Sequence, residues 1–396
     1  MRRFDVAGIE HEIVMSGQAQ PFDVARLTED VRKVCAQAVA MFEGAMPKAV
    51  GGYRFLLHLT ENDYGGLEHR SSTLLMAPRR TLPALNTPQT RDYVQLLGLF
   101  SHEYFHTWNV KDLIPIDYQP YVLSQEQPTE MLWLFEGFTA FFDNWLLLQS
   151  GVISMQTYLQ LLEKDISAYW QRRGRLQQTL ALSSYEAWTK LYNGGEDAVN
   201  SSTNYYVHGA LMAFCLDIFL RTHSHDKLSL ADIMLILWQQ FVEDGIGLDE
   251  ASFRRRVIEW LPEESIDDFQ KFLTQVLHTH HALPLHWACT QLGLDLQQMA
   301  AHHPHLSLSE GNSQQRSTSD AGFSWRQDGA ILKVSQLEAR SSAALSGVAV
   351  EDEIVAVNGF KASQVMLFDV LKQGRWGRRC ACMFFVMGFC MSLNLN

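Results

Sequence analysis

The residues that could do chemistry crowd into one stretch. Ser101-His102-Glu103-Tyr104-Phe105-His106-Thr107-Trp108 sets two histidines four residues apart. On a helix, positions i and i+4 share a face, so both imidazoles can reach one ion. Glu103 lies one residue round, where its carboxylate touches a water on that ion rather than the ion itself. Leu132-Trp133-Leu134-Phe135-Glu136-Gly137-Phe138-Thr139 holds a lone carboxylate in an apolar run. A charge there is costly unless it is paired or bound to metal. The competing readings are core histidines for the pair and a salt bridge to a buried arginine for Glu136.

Two imidazoles, one carboxylate and an open position make the donor set of a catalytic zinc, although another divalent metal is compatible with it. The expectation is one Zn2+ per chain, held by His102, His106 and Glu136. Zinc brings the pKa of a bound water to about 7, and Glu103 would take the proton and pass it to a leaving amine. This H-E-x-x-H arrangement is the metallopeptidase pattern. Asp143, seven residues after Glu136 and on the same helical face, is placed to hydrogen-bond a ligand histidine. Helix capping or plain solvation is the alternative for it.

Elements must hold these groups in place. Tyr93, Leu96, Leu97 and Phe100 form an apolar stripe that predicts a helix over 91–109. A second helix is expected over 129–150, with Thr129 at its N-cap and Gly151 just past its end. Residues 23–45 read as an amphipathic helix, and Tyr53 to Leu59 and Ser72 to Met76 read as strands. Helical periodicity returns over 155–173, 205–222, 229–242 and 266–278. Residues 1–20 alternate and read as an edge strand or the remnant of an N-terminal β domain. A Ser-, Gln-, Gly- and Asn-rich stretch marks a linker over 301–321, followed by short strands and the turn dipeptide Asn358-Gly359.

The chain has 396 residues, enough for two or three domains. Its formal net charge of −12 argues against nucleic acid, which needs clustered Lys and Arg. No run of 18 apolar residues exists, so no membrane span is expected. No signal peptide is readable and the six cysteines do not space as a disulfide framework, which together suggest a reducing, cytoplasmic setting. The His-rich stretches at 278–281 and 302–305 read as solvated surface or linker.

The motifs His102-Glu103-x-x-His106 and Trp133 to Thr139, separated so that 29 residues lie between His106 and Glu136, resemble the gluzincin metallopeptidases. They are most similar to the glycyl aminopeptidase family, whose members carry a C-terminal PDZ domain. The resemblance extends through His102 to Lys111 and covers about residues 4–370. It implies an α+β fold: a thermolysin-like (gluzincin) catalytic domain with a helix-rich second half, then a small PDZ-like β domain. The boundaries so expected are 1–20 for the N-terminal remnant, 21–300 for the catalytic region (helix-rich from about 129), 301–321 for the linker and 322–396 for the PDZ-like domain, incomplete after 371.

Further roles rest on the resemblance. Tyr64-Gly65-Gly66-Leu67-Glu68-His69-Arg70 is similar to the family's substrate-edge strand. That implies substrate contact at Gly65 and Gly66 and capture of the free α-amino group by Glu68; a surface turn with a Glu–Arg pair is the alternative. Asn204 to Leu211 resembles the family's tyrosine segment, with Tyr206 as oxyanion donor, Tyr205 as rival and a core tyrosine as the plain reading. His208 stands where the family has lysine. Gly322-Phe323-Ser324-Trp325 resembles a PDZ carboxylate-binding loop, which implies a C-terminal peptide partner; a generic small β domain is the alternative. The function implied is an aminopeptidase removing N-terminal Gly or Ala from peptides with a free N-terminus. The alternatives are a PDZ-tethered zinc endopeptidase and a catalytically impaired PDZ peptide-binding protein.

Overall fold

Alternating apolar residues and two tight turns build the first sheet. The computed structural model describes residues 1–47, 51–297 and 322–367, and residues 380–386 and 389–395 by their backbone. Strands β1 (Arg2–Val6) and β2 (Ile9–Ser16) are joined by Ala7 and Gly8, both at positive φ. Helix α1 (Val24–Met41) follows, its first turn capped by the Asp23 carboxylate, which accepts from the Arg26 N–H. Then come β3 (Tyr53–Thr60), β4 (Gly65–Glu68) and β5 (Ser72–Pro78). In β3 the alternate residues Tyr53, Phe55, Leu57 and Leu59 are all buried.

The strand order is β1-β2-β3-β5-β4, with β2, β3 and β5 parallel and the two outer strands antiparallel to their neighbours. Residues 2–16 are therefore hydrogen-bonded into the same sheet that carries the 53–78 strands, where the sequence suggested the remnant of a separate domain. Short alternating segments show which face is buried but not which strand they pair with, so the sequence could not place them.

Helices cover the sheet. Thr90 caps α2 (Arg91–Phe105), whose buried stripe runs from Tyr93 to Phe105. The expected helix over 129–150 is two, α3 (Leu132–Phe135) and α4 (Gly137–Gln149), with Glu136 at the break. Gly151, at φ 70°, follows the end of α4 as expected. The helices α5 (Met155–Gln171), α6 (Leu180–Tyr185), α7 (Ala198–Ser201), α8 (Tyr205–Ser224), α9 (Leu230–Asp244), α10 (Glu250–Ile258), α11 (Ile266–His278) and α12 (Leu285–Gln291) complete the helical part. Helix α4 packs against α2 and α8. No helix among the described residues is long and apolar enough to cross a membrane.

The chain divides into two compact units. The first comprises Met1–Gln171, Thr179–Ala187 and Asn204–Gly293. The second comprises Arg172–Gln178, Trp188–Thr203 and the described residues after Gly293. Two loops inside the expected catalytic region thus go with the C-terminal unit. Hydrogen bonds explain it: Asn200 donates to the Leu337 carbonyl at 2.9 Å and accepts from the Ala339 N–H at 2.9 Å, and Arg173 pairs with Glu338 at 3.1 Å.

The second unit carries β6 (Phe323–Asp328), β7 (Ile331–Leu337), α13 (Ser342–Leu345), β8 (Glu353–Val357), β9 (Phe360–Lys361), β10 (Cys380–Val386) and β11 (Phe389–Leu395). Its core gathers Phe323, Trp325, Leu332, Val334, Ile354 and Val357. The sheet continues past residue 371, where the sequence predicts that the domain breaks off: the backbone of β10 pairs with β8 and with β11. The linker expected over 301–321 lies outside the described residues, as does 368–379.

Candidate metal centre

Helix α2 presents His102 and His106 on one face, as their spacing requires. Their rings stand 4.7 Å apart at 87°. Both Nε2 atoms point at one carboxylate oxygen, Glu136 Oε2, from 3.4 Å for His102 and 3.3 Å for His106. The break between α3 and α4 aims Glu136 there. Ligand atoms of these three residues all lie within 4.8 Å of one another, and they form the one such His/Cys/Asp/Glu group among the described residues. The histidines at 278–281 take no part in such a group: His278 instead faces Glu250 at 2.8 Å.

The other imidazole nitrogens are committed. His102 Nδ1 donates to Asp143 Oδ2 at 3.2 Å, and His106 Nδ1 donates to the Asn109 carbonyl at 2.8 Å. With protons fixed on Nδ1, each Nε2 turns a lone pair into the site. Glu136 Oε2 is buried without a hydrogen bond. An orphaned buried carboxylate oxygen facing two imidazole lone pairs fits a divalent cation, and the N,N,O set fits zinc. Electrostatics agree. Burial disfavours the Glu136 charge, but the two imidazoles outweigh it and hold the carboxyl well below its usual range. Burial likewise opposes charge on His102 and His106, and their carboxylate neighbours raise both above the usual imidazole range. The same attraction favours a cation in place of protons.

Glu103 is buried beside this group, and desolvation raises its pKa against the pull of the two histidines. Its Oε2 accepts from the Thr73 hydroxyl at 3.3 Å, and the Tyr53 hydroxyl donates to its backbone carbonyl at 3.2 Å. Edge strand β4 runs alongside. A Cβ on Gly66 would stand 2.1 Å from Glu103 Oε1, so this position has no room for a side chain while Glu103 keeps its place. Gly65 meets nothing. Glu68 is partly buried and pairs with Lys111 Nζ at 2.9 Å, not with an arginine. The Tyr206 ring lies 6.1 Å from the His102 ring, while Tyr205 is buried and stacked on Tyr206 at 4.7 Å.

The C-terminal motif lands differently from a free loop. Phe323, Ser324 and Trp325 belong to β6, and their period of two sends Phe323 and Trp325 into the core. Gly322, at φ 74°, precedes the strand. A Cβ there would overlap Ser341, 2.0 Å from its own Cβ.

Three contributors went unread in the sequence. Asn109 holds the His106 ring through its carbonyl and, through Nδ2, the Phe135 carbonyl and Thr139 Oγ1, both at 3.1 Å. It thereby ties one candidate ligand, His106, to the segment that carries another, Glu136. Its signal was a single amide in an aromatic run. Thr73 and Lys111 gave none, because their partners come from other elements.

Residues 95–212 match the M61 glycyl aminopeptidase family. That stretch, which carries His102, Glu103, His106, Glu136 and Tyr206, is similar to that family of metallopeptidases. Among solved structures, an aminopeptidase N family protein from Idiomarina loihiensis is 34% identical and superposes with a TM-score of 0.91 over all of this chain and 66% of that one. This chain thus spans 66% of the length of that relative. Native yeast LTA4 hydrolase is 16% identical over 72% of this chain and 40% of its own, at a TM-score of 0.46. No curated protein matches.

Proposed function

We propose that this chain is a zinc-dependent aminopeptidase acting on peptides with a free N-terminus and preferring small first residues, Gly or Ala. The observation that carries the metal chemistry is the convergence of two imidazole lone pairs on an unbonded, buried Glu136 oxygen, with Glu103 beside them. The family match and the Idiomarina relative, by its title an aminopeptidase N family protein, support the reaction class. The preference for Gly or Ala rests on the family resemblance.

In this reading His102, His106 and Glu136 hold one zinc, which when bound supplies Lewis acidity toward water and a peptide carbonyl. Glu103, whose burial makes it a better proton acceptor than an exposed glutamate, takes the proton of the attacking water and returns it to the leaving amine. Thr73 and the bare Cα of Gly66 fix where that carboxylate stands. The Tyr206 hydroxyl donates to the developing oxyanion; its ring neighbours His102, whereas Tyr205 is packed away. The free edge of β4 offers backbone groups to an extended peptide, and Glu68 receives its α-ammonium in exchange for Lys111. The C-terminal unit takes a peptide C-terminus at the Gly322 end of β6.

The Lys111–Glu68 pair favours a second reading, because a carboxylate that is already partnered leaves the cleft neutral toward a blocked chain. That reading is an endopeptidase. The deciding experiment measures zinc content and hydrolysis of Gly- and Ala-p-nitroanilide with and without chelator, in the wild type and in Glu103→Gln. One zinc per chain, chelator-sensitive release and a loss of about 10²–10⁴-fold in Glu103→Gln support the proposal. A folded protein without zinc, or an unimpaired Glu103→Gln, removes it. Equal losses in Glu68→Ala on free and N-acetylated peptides favour the endopeptidase.

A further inference from the structure

The proposed function gives no task to Tyr64, the residue that leads into β4. Successive residues of an extended segment alternate sides, so Tyr64, Gly66 and Glu68 share one side. Two of them show what that side faces. The Cβ that Gly66 lacks would meet Glu103, and Glu68 reaches Lys111. Tyr64 completes the row: its hydroxyl donates to the Gln95 carbonyl of α2 at 3.1 Å. Gln95 stands seven residues before His102, about two turns and 10 Å back along the same face of that helix. The Tyr64 side chain therefore bridges β4 and α2 on the side where the candidate ligands converge.

Two properties make it a wall rather than part of the core. Tyr64 keeps 44% of its surface open to solvent. Its hydroxyl is nevertheless pushed well above the ordinary phenol range, first by burial and then by the negative charges of Asp143 and Glu103. Neighbours that crowd a side chain while water still reaches it describe a concave surface. The two carboxylates that act on the phenol belong to the metal centre itself, so the concavity is the cleft beside it.

The row also sets the direction of a bound peptide. With its α-ammonium at Glu68 and its scissile bond at Glu103, opposite Gly66, a peptide along the edge of β4 runs on toward Tyr64. A strand rises about 3.4 Å per residue, so Tyr64 lies about 7 Å beyond Gly66, within reach of the side chain that follows the scissile bond. A phenol tethered by its hydroxyl presents a fixed apolar face and loses little freedom when that face is covered. We infer that Tyr64 determines specificity at the second residue of the substrate, its ring being the platform for an aromatic or large apolar side chain there. The inference rests on the aminopeptidase reading and adds to the preference for Gly or Ala at the first residue.

The test uses the full chain loaded with zinc and two substrates, Gly-Phe-amide and Gly-Gly-amide, that differ only at the second position. The wild type should prefer Gly-Phe-amide by about tenfold in kcat/KM, the scale of a ring–ring contact with its buried area. In Tyr64→Ala the ratio should fall toward one. In Tyr64→Phe, which keeps the ring, most of it should remain. A ratio of two rates on one preparation does not change if part of a variant is unfolded. Equal rates in the wild type, a preference that survives Tyr64→Ala, or a loss in Tyr64→Phe as deep as in Tyr64→Ala would overturn the inference. If neither substrate is cleaved, calorimetric titration decides. Tighter binding of Gly-Phe-amide that is lost in Tyr64→Ala keeps the platform while the peptidase reading falls, and equal binding removes the platform.

Discussion

At the scale of single residues, the proposed zinc ligands follow from local spacing, whereas the groups that support them are brought in from other elements. His102, Glu103 and His106 sit within one helical turn, so their spacing alone places them together. Glu136 could be picked out because a bare carboxylate in Trp133 to Thr139 needs a reason. Asn109, Thr73 and Lys111 act across 26, 30 and 43 positions of chain, and no local pattern encodes such pairings. Gly66 shows the difference most sharply. The sequence marks it as half of a Gly-Gly turn, whereas the structure gives it the task of leaving Glu103 its place. Gly66→Ala should therefore push the base aside. The expected outcome is a fall in kcat of about 10²-fold, the cost of a displacement near 1 Å, with zinc content and melting temperature nearly unchanged. Full activity in that variant would mean that Glu103 has other room to move.

At the scale of elements, the ligands depend on how closely helices approach. Gly137, just after Glu136, faces Gly209 on α8: a Cβ on Gly137 would stand 2.6 Å from Gly209 Cα, and one on Gly209 would stand 2.7 Å from the Trp133 carbonyl. This contact fixes the break that aims Glu136. Gly209→Ala should separate α8 from α3 and α4, at a cost of about 1–3 kcal/mol in unfolding free energy. It should also weaken zinc about tenfold, as changes to supporting groups do, read by titration against a competing chelator. A variant as tight as the wild type would show that Glu136 is positioned from elsewhere. A second link joins β2 to α2: His11 is fully buried, donates from Nδ1 to the Ile9 carbonyl and meets the Tyr104 hydroxyl at 2.8 Å. Burial lowers its pKa, only partly offset by the Ile9 carbonyl and Asp5. The unfolded chain then binds this proton more readily than the folded one. Stability present above the ordinary imidazole pKa is lost as pH falls toward the folded value. Urea midpoints at pH 7.5 and 5.5 should differ less in His11→Gln than in the wild type; an equal difference would assign the acid sensitivity to other groups.

At the scale of the whole molecule, most segments could be read because periodicity is a local signal: α11 falls at its expected bounds, and β8 ends where the Asn358-Gly359 turn begins. What could not be read were memberships, since Arg172–Gln178 and Trp188–Thr203 join the second unit and β1 and β2 join the first sheet through pairings made in space. Three elements, α2, α3 and α4, meet at the ligand set, so a bound metal acts as a cross-link in the folded state. A ligand bound only by the native state stabilises it by about 4 kcal/mol when free zinc is about 1,000 times the dissociation constant. For a unit of this size that is roughly 10 °C in melting temperature. Removal of zinc by chelator should lower the wild-type melting temperature by that order and leave Glu136→Ala little changed. Protons compete for the same atoms: His102 and His106 bind them more readily than free imidazoles, and a ligand must be deprotonated to hold metal. The metal-free protein gains stability from these raised pKa values below the ordinary imidazole pKa and loses it as pH rises through the folded values. Zinc stabilisation should thus grow from pH 6 to pH 8. A chelator-induced shift that stays constant across that range would place the metal on groups other than these two histidines.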